Sequence, residues 1–249
     1  MGTRAPRGFG EYGGIARALE RVGERWALLI VRDLLVGPRR YSDLKASLPR
    51  IPTNILSDRL RELQEAGVLR RVPSVRGGYE LTALGRGLEP VVLALESWGW
   101  SVLGDAADEE RTGHEALAVA LRAAFRADAA ANLPATEYVL HVGRASVAAQ
   151  VDGRRLEVVP VGPDAVPTPR PSGASGPSGV PGVPGVPGGT GGLASVEFAL
   201  EPAELRDLVA GRADAARIPV LAGDADGVAR FAETFRIDPV ESDAPRSVA

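Results

Sequence analysis

Residues 25–71 read RWALLIVRDLLVGPRRYSDLKASLPRIPTNILSDRLRELQEAGVLRR and decide the fold of the first part of the chain. Apolar residues recur at helical spacing in three short runs, which Gly37-Pro38 and Pro49 separate. Residues 68–72 and 78–81 follow as two short strands joined by a glycine-containing turn. Three helices followed by a hairpin predict a winged helix-turn-helix, which inserts one helix into the DNA major groove.

The same periodicity predicts the remaining helices of this part of the chain. One helix is predicted at residues 12–23, a second from Trp26 to Gly37, and two more at 41–48 and 53–66. A long helix is predicted at residues 83–103, with Thr82 as its cap and a kink at Pro90. These elements together predict a DNA-binding domain over residues 12–103, after a flexible tail at 1–11.

Composition limits the class of protein. The 249 residues include no cysteine, which excludes disulfides, thiolate zinc sites and thiol-based redox sensing. No apolar run approaches the roughly 18 residues of a membrane span, and the first ten residues lack the apolar core of a secretory signal. We therefore expect a cytoplasmic protein with no membrane partner.

Charge is distributed unevenly along the chain. The net charge is −3, but residues 1–103 hold 16 basic and 11 acidic side chains, whereas the remainder holds 13 basic and 21 acidic. A surplus of five positive charges in the first part favours an encounter with DNA through that part.

Several residues are candidates for contact with DNA. On the 53–66 helix, the face opposite the apolar positions presents amide, hydroxyl and guanidinium groups that can pair with base edges. Two arginines and a tyrosine at the start of the third helix suit phosphate, whereas the glycines beside an arginine in the wing tip let the backbone approach a minor groove. The alternative is an ordinary solvated polar surface. The candidates are Arg39, Arg40, Tyr41, Thr53, Asn54, Ser57, Asp58, Arg59, Arg61 and Arg76.

The rest of the chain predicts a second domain. Residues 104–112 are polar and indicate a linker, and the next elements lie in a domain over 113–238. Within it, residues 162–192 repeat Val-Pro-Gly and are rich in glycine, which predicts a disordered insertion. The tail at 239–249 is also predicted to be disordered. The predicted elements are helices at 114–130, 202–211 and 225–236, and strands at 136–142, 145–151, 154–160, 194–200 and 217–222.

Catalytic and metal-binding motifs are not found in the sequence. His114 and His141 are the two histidines, and residues 114–118 read HEALA rather than a metalloprotease motif. The glycine-rich stretch ends in no Gly-Lys-Ser/Thr, and no G-x-S-x-G occurs. We expect no enzyme activity, no cofactor and no metal.

Residues 12–103 resemble the HxlR-type winged-helix transcription regulators. The resemblance is carried by GERWALLI at 23–30, GPRRYSDL at 37–44, LSDRLREL at 56–63 and YELT at 79–82. It implies a homodimer whose first and last helices pack across a two-fold axis, and a palindromic operator. The segment EYGG at 11–14 departs from the family, because many members carry a cysteine just before the first helix.

Residues 114–237 resemble a sterol-carrier-protein-like domain, with helices on a mixed sheet around an apolar cavity. The whole chain is then α+β, a winged helix-turn-helix joined to an α/β sandwich. The resemblance implies an apolar effector, and the alternative is plain core packing. The predicted lining residues are Leu117, Leu121, Phe125, Val139, Phe198, Leu205, Leu208, Phe231 and Phe235.

Two functions remain open at this point. The first is a dimeric transcription regulator that responds to an apolar small molecule, and we expect it to be a repressor rather than an activator. The second is a lipid or small-molecule carrier whose winged helix serves dimerisation or protein interaction.

Overall fold

The computed structural model describes residues 8–72, 77–104, 112–162 and 193–238. The predicted wing-tip contact Arg76 and the predicted tail at 239–249 therefore lie outside the described residues. The same holds for most of the predicted insertion at 162–192 and for most of the predicted tail at 1–11. Within the described ranges the chain has a mixed α+β fold with two separate sheets. None of the helices in these ranges has the length and hydropathy needed to cross a membrane.

The N-terminal part confirms the first four predicted helices and the hairpin. Its three-stranded antiparallel sheet has the order β1 (Arg39–Arg40), β3 (Gly78–Leu81) and β2 (Leu69–Val72), and β1 is a two-residue strand that the sequence pattern did not predict. Gly67, at a φ of 72°, ends the fourth helix with a left-handed turn that glycine adopts without strain. The elements are α1 Gly14–Val22, α2 Ala27–Leu35, β1 Arg39–Arg40, α3 Tyr41–Ser47, α4 Thr53–Glu65, β2 Leu69–Val72, β3 Gly78–Leu81, α5 Ala83–Arg86 and α6 Glu89–Val102.

Two predicted long helices are each divided in the structure. The predicted 83–103 helix is α5 and α6, separated at Gly87-Leu88, so the prediction of one kinked helix was wrong. Pro90 lies in the first turn of α6, where its missing N–H costs nothing, and it begins a helix instead of bending one. The predicted 114–130 helix breaks at Phe125, whose extended backbone forms a bridge with Phe235.

The C-terminal part contains a five-stranded mixed sheet in the order β6 (Arg155–Pro160), β5 (Ala145–Asp152), β4 (Thr136–Val142), β7 (Ala194–Leu200) and β8 (Val220–Gly223). The central strands β4 and β7 run parallel, and the other neighbours are antiparallel. Its elements are α7 His114–Ala124, α8 Ala127–Ala130, β4 Thr136–Val142, β5 Ala145–Asp152, β6 Arg155–Pro160, β7 Ala194–Leu200, α9 Pro202–Val209, a 3-10 turn at Ala215–Arg217, β8 Val220–Gly223 and α10 Gly227–Thr234.

Aromatic rings fill the core of this domain. The Phe231 ring stacks on Phe235 with centroids 4.5 Å apart and meets Phe198 at 5.2 Å and Tyr138 at 5.4 Å. Most residues predicted to line a cavity are therefore packed against other core side chains. Those that are fully buried are Leu117, Leu121, Phe198, Leu205, Leu208, Phe231 and Phe235, while Phe125 is half-buried.

Val139 does not belong to this core. Alternate residues of β4 are buried, and the buried set contains Tyr138 and Leu140 rather than Val139. Val139 pairs in register with Glu197 of β7 and lies on the opposite face of the sheet. The prediction of Val139 as a lining residue was wrong. The sequence does not show which of the two alternating sets of β4 side chains faces the core.

The two parts of the chain share an interface centred on α7. Helix α7 packs against α2 and α6, and its Arg122 donates a hydrogen bond of 3.3 Å to the carbonyl oxygen of Leu35. At the start of the same helix, Glu115 lies 3.4 Å from the guanidinium of Arg39, and both side chains are buried. The C-terminal domain is thus bonded to the helix-turn-helix by a buried ion pair.

We predict that Glu115→Gln lowers the free energy of unfolding by about 3 kcal/mol, because it removes the carboxylate that pairs with the buried guanidinium of Arg39. Urea denaturation measures the change. The matched control is Arg154→Gln, which breaks an exposed pair with Asp128 and is expected to cost about 0.5 kcal/mol or less. Equal losses in the two variants would contradict the role given to the buried pair.

Candidate nucleic-acid interface

Helix α4 presents a polar face to solvent. Leu56, Leu60 and Leu63 are buried on one side of the helix, as their spacing of four and three residues requires. The opposite side exposes Asn54 and Arg61, whose amide and guanidinium groups can pair with bases. The Arg61 guanidinium lies 3.2 Å from the carboxylate of Asp58, so two of the predicted contacts are paired with each other.

The start of α3 is attached to the start of α4. The Tyr41 hydroxyl donates a hydrogen bond of 2.9 Å to the carbonyl oxygen of Thr53, and the Ser57 hydroxyl lies 3.4 Å from the same tyrosine oxygen. Arg40 is exposed, and its backbone N–H donates to the Asp43 carboxylate at 2.8 Å. Arg40 and Tyr41 therefore flank the polar face of α4.

The turn between α3 and α4 is held by a lysine. Lys45 Nζ donates hydrogen bonds to the carbonyl oxygens of Pro49 and Ile51, at 2.9 and 2.8 Å. These contacts fix the angle between the two helices, since the turn contains both accepting carbonyls. This role of Lys45 was not predicted from the sequence.

Arg39 is not part of the exposed surface. Its side chain is 1% exposed and faces Glu115, whereas the neighbouring Arg40 faces solvent. Adjacent residues of an extended strand point to opposite sides, so the two arginines of β1 cannot both reach a phosphate. The predicted phosphate contact of Arg39 was wrong.

Arg59 is held within the protein. Its side chain is 15% exposed and forms ion pairs with Glu62 on the same helix and, at 3.6 Å, with Glu24 ahead of α2. Arg59 thus connects α4 to the segment before α2, and it lies beside the face that carries Asn54 and Arg61. Its predicted contact with a base is not available while both carboxylates hold it.

The hairpin behind the wing tip also carries arginines. Arg70 pairs with Glu80 on the neighbouring strand at 2.7 Å, and the Arg71 guanidinium lies 5.3 Å from the ring centre of Tyr79. Both arginines are exposed.

A buried aspartate supports α3 from behind. Asp33 of α2 is fully buried, accepts a hydrogen bond of 2.6 Å from the Ser47 hydroxyl at the end of α3, and is also bonded by the Arg32 guanidinium. Burial raises the pKa of Asp33 above its ordinary value, while Arg32 and Ser47 act in the opposite direction. Glu115 adds a further raising contribution from the C-terminal domain.

Two arginines that border the site were also not predicted from the sequence. Arg25 precedes α2 and Arg50 lies in the turn before α4, and they line one surface pocket together with Arg59. The signal that could have found them is the basic residue that stands shortly before each of two predicted helices. No group of three metal-binding side chains occurs in the part of the chain that the structure describes.

Comparison with known proteins identifies relatives of the N-terminal part. A family model for HxlR-like helix-turn-helix proteins matches residues 21–106. The uncharacterized HTH-type transcriptional regulator Mb3122 of Mycobacterium bovis is 46% identical over 89 residues, which cover 34% of this chain and 56% of that protein. The chain thus spans a little over half the length of this curated relative.

Two further relatives are matched over most of their length. The uncharacterized HTH-type transcriptional regulator YvaP of Bacillus subtilis is 38% identical over 86 residues, covering 33% of this chain and 80% of YvaP. The crystal structure of the putative HTH-type transcriptional regulator ytcD is 35% identical, covers 35% of this chain and 93% of that chain, and has a TM-score of 0.33.

We predict that Asp33→Asn changes how stability depends on pH. Because the folded state raises the pKa of Asp33, its protonation favours folding; this contribution is complete below the unfolded pKa and is lost as pH rises through the folded pKa. We therefore compare the free energy of unfolding of the unmodified protein with that of Asp33→Asn. The first value minus the second should fall as pH rises above the ordinary pKa of an aspartate. Urea titrations over a pH series measure it, with the exposed Asp152→Asn as control. A difference that stays constant or grows with pH would refute the assignment.

Proposed function

The chain belongs to the HxlR-like helix-turn-helix family, and from this premise we propose that it is a DNA-binding transcription regulator that represses by occupying a palindromic operator as a homodimer. The observation that carries the proposal is the exposed polar face of α4, bordered by Arg40 and Tyr41. In this proposal α4 enters the major groove, and the groups on its flanks contact phosphates.

The roles of the individual side chains follow from their chemistry. Asn54 can form two hydrogen bonds with adenine, and Arg61 can do so with guanine. Arg40 contributes a charge at the edge of the helix, where the phosphate backbone lies when the helix fills the groove. Tyr41 keeps its hydroxyl on Thr53, so it positions the first turn of α4.

Dimerisation is supported by two apolar stripes that the protomer leaves in solvent. Ile15 of α1 is 79% exposed and Trp98 of α6 is 57% exposed, although both belong to helices with a regular apolar spacing. Exposed apolar stripes of this kind are characteristic of a protein–protein contact. The residues of the two stripes are Ile15 and Leu19 on α1, and Val91, Leu95, Trp98 and Val102 on α6.

A symmetric dimer has consequences for the operator. A two-fold axis relates the two copies of α4, and helices that enter successive major grooves on one side of DNA lie about 34 Å apart. The operator is therefore proposed to have inverted half-sites whose centres are about one helical turn apart.

The C-terminal domain has no catalytic role in this proposal. We assign no apolar effector to its aromatic core, because the rings of Phe198, Phe231 and Phe235 lie against one another where the effector was expected. The carrier function is disfavoured for the same reason. An apolar ligand could still bind if it displaced these rings from one another. Measuring operator affinity with and without apolar ligands tests that case.

The proposal as a whole is tested by a gel-shift titration of the full chain against the DNA upstream of its own gene. We expect a retarded complex that survives an excess of mixed-sequence competitor. Binding no tighter than to the competitor would contradict a sequence-specific regulator.

We predict that Arg40→Ala weakens binding to all duplexes by a similar factor, because its proposed contact is a phosphate. The plot of log affinity against log salt should become shallower by about 0.9 for each protomer engaged. Fluorescence anisotropy at several salt concentrations measures this slope, with Arg144→Ala in the exposed β4–β5 turn as control. An unchanged slope for Arg40→Ala would show that it touches no phosphate.

We predict that Ile15→Glu and Trp98→Glu convert a dimer into a monomer, because each places a charge within an apolar contact. Sedimentation equilibrium should give twice the protomer mass of 26.0 kDa for the unmodified chain and one protomer mass for each variant. Leu221→Glu, at an exposed leucine of β8, is expected to leave the dimer intact. A monomeric unmodified chain at micromolar concentration would overturn this part of the proposal.

A further inference from the structure

A surface pocket lies between the segment before α2 and the first turns of α4. Its volume is about 390 Å³, and its lining includes Arg25, Arg50 and Arg59 together with Trp26 and a single carboxylate, that of Glu24. Three guanidinium groups and one carboxylate line the pocket, so basic groups predominate in its lining. Such a surface favours an anionic ligand.

The three arginines of the pocket differ in what they can do. Arg59 is bound by Glu24 and Glu62, so it braces the wall of the pocket and its charge is offset. Arg25 lies over the ring of Trp26, with its guanidinium carbon 5.4 Å from the ring centre. This cation–π contact leaves the edge of the guanidinium available to donate hydrogen bonds. Arg50 is exposed at the end of the turn before α4.

The position of the pocket relative to α4 indicates the ligand. Helix α4 has Tyr41 and Ser57 on one flank, where Arg40 is exposed. Ile55 and Arg59 lie on the other flank, which borders the pocket. A helix seated in the major groove lies between two phosphate backbones, one on each side. Arg40 serves one side, and the pocket is the basic surface on the other.

We propose that this pocket binds a backbone phosphate of the DNA strand opposite the one that Arg40 contacts, with Arg25 and Arg50 as the donors. The inference rests on the proposed DNA-binding function and adds a second phosphate site to it. Trp26 and the Glu24–Arg59 pair are positioning groups, because they fix the Arg25 side chain and the pocket wall without touching the phosphate. A free phosphate-bearing small molecule shares the same chemistry and is distinguished by the experiment below.

The test uses the full chain with Arg25→Gln, Arg50→Gln and both substitutions together. Binding of each to a 30-base-pair mixed-sequence duplex is measured by fluorescence anisotropy at several salt concentrations. We expect each single variant to make the salt slope shallower by about 0.9 for each protomer engaged, and the double variant by about twice as much. Arg144→Gln, at an exposed arginine in the C-terminal domain, is the charge-matched control and should leave the slope unchanged.

A second arm separates the two sources of phosphate. Thermal unfolding of the unmodified chain and of Arg25→Gln is compared in inorganic phosphate and in chloride at equal ionic strength. We expect the midpoint to rise in phosphate by the same small amount in both proteins. The contrary result is that phosphate stabilises only the unmodified chain while Arg25→Gln leaves the DNA salt slope unchanged. That result would assign the pocket to a free ligand and overturn the proposal.

The outcomes also separate this inference from the proposed function. Suppose that the unmodified chain binds the duplex and that Arg40→Ala makes the salt slope shallower, but that the Arg25 and Arg50 variants do not. The second phosphate site is then refuted, and the regulator function stands. If the unmodified chain binds no duplex at all, the proposed function itself fails. Circular dichroism of each variant confirms that a lost slope does not reflect unfolding.

Discussion

A buried ion pair between Arg39 and Glu115 sets the position of the surface proposed to meet DNA. The two side chains come from different domains and lie 3.4 Å apart with almost no exposure. Removing two charges from water is costly, and only a close pair with opposite charges offsets that cost. The geometry of β1 is therefore tied to the first turn of α7.

The pair matters for the interface because of where Arg39 lies in the chain. Strand β1 has two residues, and with Arg39 directed inward, Arg40 is directed outward. Helix α3 begins at the next residue, Tyr41, which in turn bonds the first residue of α4. A side chain of the C-terminal domain thus fixes the proposed phosphate contact, and through Tyr41 it bears on α4 as well. Asp33 belongs to the same network, since the charge of Glu115 contributes to its raised pKa.

Helical periodicity was sufficient to predict most of the helices and the exposed face of α4. Gly37-Pro38 and Pro49 interrupt the pattern where the helices end, because these residues break helices irrespective of their surroundings. The sequence could not distinguish Arg39 from Arg40, since identical neighbours differ only in which side of a strand they occupy. The burial of Arg39 requires Glu115, a residue of the other domain. Val139 was misplaced for a related reason, because alternation along a strand does not state which set faces inward.

The pairing of Asp58 with Arg61 bears on how α4 could read a sequence. Both side chains are about half exposed or more, and an exposed ion pair of this kind is worth about 1 kcal/mol or less. A bidentate contact between arginine and guanine contributes about 1–3 kcal/mol of discrimination against the wrong base. In the proposed complex, a guanine in the right position would outcompete Asp58 for Arg61, whereas another base would not. In the free protein the ion pair with Asp58 holds the Arg61 side chain in one position. Next to DNA, the same pair competes with any contact of Arg61 that is weaker than its contact with guanine. Asp58 would then sharpen the selectivity of the helix without forming a favourable contact of its own.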